Sequence, residues 1–287
     1  MKLLATAAVL VLAAGCGGDR TIVVGAGSTL VAPLVARWVK AYGNATVTYS
    51  AIGSGGGLAQ ADERTIDIGA SDAPLPPSAR STLVQIPWAR GATVVAVNLP
   101  GGHPRLTGDD LAAIYLGKVR YWDEIAAGLP HLRIAPIHRS DSSGDTFVFT
   151  RYLARTSAAW RARVGDGTDV DWPVGSGAKG NAGMTAVLQQ TPGAIAYVGI
   201  AQAKAAGLNH ALLRNDAGNY PEPSPARRYP LSTYTYAIVD RSSKKLAALK
   251  AFLRYAVTDG QSFARDVSFA PLPARVRNAD LKLIDGL

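Results

Sequence analysis

The sequence is poor in cysteine and histidine. Its 287 residues include one cysteine and four histidines. One cysteine excludes an intrachain disulfide, and the histidines do not show the short spacing of metal ligands. These histidines are His103, His131, His138 and His210. We therefore expect no disulfide scaffold, no metal site and no cofactor.

Several motifs of nucleotide and hydrolase sites are also missing. Gly25-Ala26-Gly27 lacks the third glycine of a dinucleotide fingerprint, and the glycine run at 53–57 is not followed by the Gly-Lys-Ser/Thr of a P-loop. The G-x-S-x-G nucleophile elbow does not occur. A hydrolase triad of Ser28 or Ser143 with His138 is the enzymatic alternative, and a lone histidine before a turn supports it weakly. We expect no enzyme.

Negative charge is in short supply. The sequence has 30 Lys and Arg residues but only 21 Asp and Glu residues, which gives a formal charge of +9. Such a balance suits nucleic acid, a membrane surface or an anionic ligand. Zinc-finger spacing, an RNP signature and a dense Lys/Arg helix are all absent from the sequence, so nucleic acid is not expected. With 48% hydrophobic residues, the chain can fold into two α/β domains or one large domain.

The N-terminus has the pattern of an export signal. Lys2 precedes an apolar run, Leu3–Ala14, which is too short to span a bilayer and is followed by Gly15-Cys16. A cysteine in this context resembles a bacterial lipobox, in which the thiol is acylated and the cysteine becomes the new N-terminus. The pattern predicts a signal peptide over 1–15, lipid attachment at Cys16 and the outer face of the plasma membrane as location. A secreted protein with a stray cysteine is the alternative.

Three predicted strands near the N-terminus each end in a loop of small and polar residues. The strands are predicted at 21–24, 46–52 and 66–70, with Ser28, Ser54 and Asp72 just beyond them. The second is followed by the glycine run 53–57, predicted as a loop before a helix at 58–63. Three such loops within about fifty residues indicate that the strand ends meet at one site.

The stretch 137–152, IHRSDSSGDTFVFTRY, has the pattern of a strand, a polar turn and a helix. Ser142 or Ser143 suits the helix N-cap, where backbone N–H groups lack intrahelical partners. With Arg139 beside them, these donors favour an anion. Asp141 and Asp145 in the same turn do not suit a fully deprotonated anion, whereas a protonated oxyanion has hydrogens to offer them. The pattern predicts capture of phosphate.

Strands alternate with helices along the chain, which indicates parallel sheets with ligands at the strand ends. Strands are predicted at 85–88, 93–99 and 229–239, the last two long enough to cross between lobes. The predicted division is lobe I at 16–92 plus 235–287 and lobe II at 93–234.

Six segments together resemble a known family. They are GAGSTLVAPL (25–34), IGSGGGLAQ (52–60), DIGASDAPL (67–75), LTGDDLAAIYLGKVRYWDE (106–124), HRSDSSGDTFVFTRYL (138–153) and QQTPGAIAYV (189–198). In this order they are similar to the phosphate-binding subunit of the bacterial phosphate ABC importer, the PstS family, in its lipoprotein branch. The resemblance implies the type II periplasmic-binding-protein fold, two α/β lobes joined by crossing strands. It also implies a monomeric receptor that passes phosphate to membrane permease subunits.

The resemblance carries the family's phosphate contacts onto residues of both lobes. They are Ser28, Thr29, Leu30, Ser54, Asp72, Arg139, Ser143, Gly144 and Asp145. Asp72 implies selectivity, because an ionised carboxylate accepts a hydrogen bond from phosphate's OH and repels sulfate, which has none. The family commonly has threonine where Asp145 stands. Asp145 has two possible roles, a second acceptor for a phosphate proton or a cap of the helix; Asp141 is expected to orient Arg139 or to cap the turn.

Other functions remain as alternatives. They are a receptor for sulfate or molybdate, a secreted phosphatase or esterase that uses the same anion site, and an adhesin or sensor that has lost its ligand.

Overall fold

A computed structural model of the chain describes residues 21–101, 103–226 and 228–287. The signal peptide predicted at 1–15 and Cys16 lie outside the described residues. The strands are β1 Ile22–Gly27, β2 Thr46–Ala51, β3 Ile68–Ser71, β4 Leu83–Val97, β5 Arg105–Leu106, β6 Ala135–Arg139, β7 Ser176–Ala178, β8 Ala194–Gly199, β9 Asn209–His210, β10 Leu212–Leu213 and β11 Ser232–Asp240. The helices are α1 Ala32–Ala41, α2 Ser54–Asp62, α3 Gly108–Tyr115, α4 Gly144–Thr156, α5 Ala158–Arg163, α6 Gly180–Gln190, α7 Ile200–Ala205, α8 Leu246–Val257 and α9 Ala274–Asp285, with short 3₁₀ turns at 122–124, 259–263 and 265–267.

The strands form one long path in the order β2-β1-β3-β11-β4-β8-β6-β7, with β9 also paired to β4 and a small β10-β5 sheet apart. At one end β2, β1 and β3 run parallel, and at the other β8, β6 and β7 do. Between them β11 and β4 pair antiparallel to each other and to their neighbours. The mixed α/β fold is thus two parallel groups joined through two long antiparallel strands.

Two apolar cores confirm the two-lobed fold. One is built from residues between Val23 and Ala89 together with Ala237 to Ile284, and it includes Trp38 and Trp88. The other is built from residues between Ala92 and Leu231. β4 and β11 are the strands that connect one core to the other. The exact boundaries at 92/93 and 234/235 stay a prediction.

β4 corrects the prediction of two strands at 85–88 and 93–99, because it is one strand of 15 residues. It includes Pro87 and Gly91, residue types that usually weaken or interrupt a strand. However, Pro87 lies opposite an irregularity of β11 between Thr235 and Tyr236, where a missing N–H is tolerated. A Cβ on Gly91 would lie 2.8 Å from side-chain atoms of Leu30 and Phe269. Gly91 therefore makes room for core packing and does not turn the chain.

The glycine run corrects a second prediction. Residues 54–57 form the first turn of α2 and not a loop, since the helix begins at Ser54, directly after the N-cap Gly53. Gly57 packs its Cα face on the sheet, where an added Cβ would lie 2.5 Å from the Cα of Gly27. A helix of small residues can lie this close to β1, and its N-terminus then points to the carboxyl ends of the strands.

The helix α4 follows its prediction. Ser143 is the N-cap, and its hydroxyl accepts hydrogen bonds from the backbone N–H groups of Asp145 and Thr146. Phe149, Tyr152 and Leu153 are buried in the second core. In the ranges that the structure describes, none of the helices has both the length and the hydrophobicity needed to cross a membrane.

Candidate functional site

The first lobe presents a buried carboxylate at the ends of its parallel strands. Asp72 follows β3 and is 2% exposed. Its Oδ2 accepts a 2.6 Å hydrogen bond from the Ser28 hydroxyl, after β1, and a longer one of 3.4 Å from Ser54, at the start of α2. Its Oδ1 is buried and has no hydrogen-bond partner among the described residues. A buried carboxylate oxygen without a donor is costly, so this atom marks a place for a ligand's donor group.

Ser28 supports Asp72 and also closes the turn before α1. Its hydroxyl oxygen accepts hydrogen bonds from the N–H groups of Leu30 and Val31 at 3.1 and 3.3 Å, while its proton goes to Asp72. The Tyr49 hydroxyl donates to the Ser28 carbonyl. The Ser28 hydroxyl is therefore fully used within the protein, and it orients Asp72 instead of offering a hydrogen to a ligand.

The second lobe presents Arg139 at the end of β6. Its guanidinium is buried and makes two hydrogen bonds to Asp141, one of 2.8 Å from Nε and a short one from Nη2. Nη1 lies 3.2 Å from Asp145 Oδ2. The Arg139 backbone N–H donates to the Tyr197 hydroxyl, which ties β6 to β8. Asp141 orients Arg139, which is one of the two roles predicted for it, and two carboxylates share one guanidinium.

Asp145 lies in the first turn of α4 but does not cap it. Its carboxylate accepts hydrogen bonds from Thr93 Oγ1 at 2.6 Å and from Asn181 Nδ2 at 2.8 Å, in addition to Arg139. The helix is capped by Ser143. The capping role considered for Asp145 is therefore wrong, and its charge faces Arg139 inside the site.

The start of α4 meets the first lobe at Asp72. A Cβ added to Gly144 would lie 2.5 Å from the Asp72 Cβ, 2.6 Å from Asp72 Oδ2 and 2.7 Å from Ser54 Oγ. Gly144 therefore permits the backbone of the second lobe to approach the carboxylate of the first. As the first residue of the helix it has no intrahelical acceptor for its N–H. Ser143 and Gly144 thus lie across the cleft from Asp72.

Direct hydrogen bonds between the lobes surround this meeting point. The N–H of Gly55 donates to the Ser142 carbonyl at 3.1 Å. Asn181 Nδ2 donates to Thr29 Oγ1 at 2.8 Å, and Gln202 Nε2 donates to the Thr29 carbonyl at 2.6 Å. A Cβ on Gly55 would lie 2.2 Å from Ser142 Oγ, so glycine is required for this contact. The structure thus shows the lobes closed on each other.

The acidic groups of the cleft titrate abnormally. Burial raises the pKa of Asp72 to about 7, and the charge of Asp145 adds to the rise, against the Ser28 and Thr235 hydroxyls and Arg139. Burial likewise raises the pKa of Asp145, although Arg139 and the donors Thr93 and Asn181 oppose it. Burial also acts to raise the pKa of Asp141, but the Arg139 hydrogen bonds and the Gly180 N–H outweigh it and lower that pKa.

The structure brings the predicted residues of both lobes together. Ser28, Ser54 and Asp72 form one hydrogen-bonded group, Arg139 and Asp145 a second, and Gly144 touches the first. Leu30 takes part through its backbone N–H, and Thr29 through both its hydroxyl and its carbonyl. Whether these groups contact a ligand stays a prediction.

The sequence reasoning missed three polar side chains. They are Thr93 in β4, Asn181 at the start of α6 and Gln202 in α7. Asn181 stands in the glycine-rich segment 174–183, and this run of small residues was the available signal for a ligand-facing loop. Thr93 and Gln202 carried no such signal in the sequence.

The enzymatic alternative finds no matching geometry. His138 stacks on Trp172 at 4.9 Å between ring centroids, and its Nδ1 lies 3.1 Å from the Arg139 carbonyl. Ser28 is bonded to Asp72, and Ser143 caps α4. Neither serine is hydrogen-bonded to His138 in the described part of the chain. Within the same ranges, no group of three His, Cys, Asp or Glu side chains is placed to hold a metal ion.

Comparison with known proteins gives consistent matches. A family model described as a PBP superfamily domain matches residues 14–260. The chain is 36% identical over 294 residues to the phosphate-binding protein PstS of Xylella fastidiosa, covering 87% of this chain and 81% of the relative. It is 34% identical to PstS of Pasteurella multocida, covering 88% and 87%.

Solved structures with the same fold are more distant in sequence. A putative phosphate ABC transporter substrate-binding protein from Clostridium perfringens, solved with bound phosphate, matches with a TM-score of 0.74 and 18% identity, covering 88% of this chain and all of that one. A phosphate-binding protein from Stenotrophomonas maltophilia matches with a TM-score of 0.72 and 18% identity, covering 92% and 94%. At this identity the matches establish the fold.

The raised pKa of Asp72 predicts how the stability of the ligand-free protein depends on pH. The carboxyl has a pKa near 4 when unfolded and about 7 when folded, so the folded state holds its proton more tightly. The contribution of Asp72 to the free energy of unfolding should therefore fall as the pH rises from about 4 to about 7 and change little above that. Asp72→Asn should be more stable than wild type at about pH 8, on the order of a few kcal/mol, but not at about pH 4.

Urea unfolding across this range measures the difference between variant and wild type. The buried Asp280, whose pKa is also raised to about 7, contributes equally to both proteins and cancels. The exposed Asp109→Asn serves as control and should run parallel to wild type. An Asp72→Asn curve that also runs parallel to wild type would contradict the assignment.

Proposed function

Because this chain belongs to the PBP superfamily and, within it, to the PstS family of phosphate-binding proteins, we propose that it is an extracytoplasmic receptor for inorganic phosphate. In this proposal phosphate binds between the two lobes and is delivered to the membrane permease of an ABC-type importer. The relatives named above are binding proteins, which supports a function without catalysis.

One observation carries the proposal: the buried Oδ1 of Asp72 accepts no hydrogen bond within the described protein, and the Asp72 side chain lies next to the N-terminal turn of α4 from the other lobe. A ligand at this point must offer a hydrogen to Asp72 and accept hydrogens from the backbone of α4. Phosphate does both once Asp72 is ionised, above about pH 7, since it still keeps at least one proton there. Sulfate and molybdate have no proton to offer, so Asp72 argues against the other oxyanions.

The remaining donors suit a tetrahedral anion. The Ser143 hydroxyl accepts from two backbone N–H groups, which leaves its hydrogen for a ligand. Thr29 Oγ1 accepts from Asn181, so its hydrogen is similarly available. The N-terminal N–H groups of α1, α2 and α4 contribute partial positive charge without a counterion. The donors available to a ligand are therefore mostly neutral hydroxyl and backbone N–H groups. Neutral donors suit a site in which carboxylates already surround the arginine.

We assign the ligand contacts to the residues predicted from the sequence. They are Ser28, Thr29, Leu30, Ser54, Asp72, Arg139, Ser143, Gly144 and Asp145. Ser28 and Asp145 act mainly through others in this assignment, Ser28 by orienting Asp72 and Asp145 by neutralising Arg139. The lobes are assigned to 16–92 with 235–287 and to 93–234; the two cores support this division to within a few residues, since they separate between Ala89 and Ala92 and between Leu231 and Ala237.

Replacing Asp72 by Asn should collapse selectivity. An amide still accepts a hydrogen bond, but it is neutral and can turn its NH₂ toward sulfate. We expect phosphate to bind at least about tenfold more weakly and the preference for phosphate over sulfate to fall from roughly 10⁴-fold to below roughly 10²-fold. Calorimetric titration with both anions measures the ratio.

Asp141→Asn is the matched control for this change, because it removes the same charge from the same cleft but from a carboxylate that faces Arg139. It should alter the affinity for both anions and leave their ratio within about threefold. An unchanged ratio in Asp72→Asn would exclude the proposed proton check.

Asp145 should make phosphate binding sensitive to pH. Its carboxylate and that of Asp141 offset the single guanidinium, so a second charge on phosphate meets net repulsion. Affinity should weaken as the pH rises from about 6 to about 8.5, while phosphate loses its second proton. Asp145→Thr, which restores the residue common in the family, should flatten this trend in titrations at several pH values. Equal slopes in the variant and the wild type would remove Asp145 from this role.

We further propose that the mature protein begins at an acylated Cys16 and is held as a monomer at the outer face of the plasma membrane. The short apolar segment before Gly15-Cys16 supports this. Removal of Lys2 with the signal peptide lowers the formal charge by one from +9.

Cys16→Ala should release the exported protein from the membrane, because acyl chains supply the anchoring free energy. Fractionation of cells that express either protein measures the membrane-bound share, with extraction by detergent as the control for aggregation. A variant that remains in the membrane fraction would contradict the anchor.

A further inference from the structure

A second cavity lies where the crossing strands meet the second lobe. It has a volume of about 440 Å³, and its lining includes Arg90 of β4, Thr233 of β11, Arg155 of α4 and Arg228 of the preceding loop. None of the residues assigned above to the phosphate cleft lines it. It is therefore a separate concavity, formed by strands of both lobes and a helix of one.

Its charge is unbalanced. Three arginines line the cavity, and the carboxylate among its lining residues is Asp216, which is 75% exposed and lies 3.0 Å from Arg155. Arg90 and Arg228 take part in no ion pair of the described structure. Arg90 is half-buried, and its Nε is buried without a hydrogen-bond partner in the described ranges. A buried guanidinium N–H without an acceptor is costly, and the arginine that carries it is one of the residues that line the cavity.

The positive surface continues at the rim of this cavity. A smaller cavity of about 250 Å³ shares Arg155, Pro230, Ser232 and Thr233 with the first and adds Arg151. Arg151 lies over the Phe147 ring at 5.6 Å, and Arg155 over Tyr152 at 5.9 Å. Stacking on an aromatic ring limits the freedom of a guanidinium, so less conformational entropy is lost when it binds an anion.

We propose that this cavity, hereafter the hinge site, binds a small anion that carries at least two negative charges. Arg90 binds one anionic group at the floor, and Arg228 and Arg155 bind a second at the rim. Guanidinium groups favour phosphate and carboxylate because they donate two parallel hydrogen bonds. The volume lies in the range of small-molecule sites, roughly 300–1,000 Å³, which suits a condensed phosphate or a polycarboxylate better than one inorganic ion. A concave site of this size does not suit an extended macromolecule.

The test uses the mature protein saturated with phosphate, so that the cleft is occupied and does not contribute. Inorganic pyrophosphate and citrate are titrated in turn by calorimetry at two salt concentrations, and the two probes distinguish a phosphate ligand from a carboxylate one. The variant is Arg90→Gln combined with Arg228→Gln. The matched control is Arg37→Gln combined with Arg275→Gln, which removes the same charge from exposed positions of the first lobe.

We expect one equivalent of at least one probe to bind wild type and the control alike, and the hinge variant at least roughly tenfold more weakly at both salt concentrations. Phosphate titration of the hinge variant should match wild type, which shows that it is folded and separates this result from the proposed function. No saturable binding of either probe to wild type, or an equal loss in the control, would overturn the proposal.

Discussion

The structure depends on one buried carboxylate placed where two lobes meet. Asp72 is held by Ser28 and Ser54 of its own lobe, and Gly144 of the other lobe lies directly against it. Removing a carboxylate from water is costly unless donors surround it. Its Oδ2 has them and its Oδ1 does not. The protein thus keeps an acceptor in a dry position at the cost of stability, as functional sites commonly do, and the rest of the cleft is arranged around that acceptor.

The second constraint is charge balance around Arg139. Its guanidinium is bound by Asp141 and faces Asp145, so little positive charge remains for an anion. Attraction must then come from backbone N–H groups at helix starts and from the hydroxyls of Thr29 and Ser143. Such dipoles carry no counterions and are fixed by the helices that hold them. In this cleft, fixed dipoles of helix starts and hydroxyls therefore take the place of net positive charge in attracting an anion. The hinge site has the opposite arrangement, with more guanidinium groups than carboxylates.

Closure of the lobes is linked to the crossing strands. β4 and β11 run from one core to the other, and Thr93 of β4 is hydrogen-bonded to Asp145. Thr29, Asn181 and Gln202 connect the lobes directly. Each of these side chains is either a proposed ligand contact itself or is hydrogen-bonded to one. Closure and ligand contact therefore use the same small group of side chains, and two of its members, Asn181 and Gln202, were not found from sequence.

The sequence by itself determined the local structure and the chemistry of the site. The N-cap at Ser142 or Ser143, the buried face of α4 and the strand ends near Ser28 and Asp72 follow from patterns within a few residues. Tertiary structure decided what depends on distant parts of the chain. β4 is continuous because its proline faces an irregularity of β11 and its glycine faces core side chains. Asp145 faces Arg139 because Thr93 and Asn181, 52 and 36 residues away, supply its donors. Such pairings have no periodicity or spacing to reveal them, because only the folded chain brings the partners together.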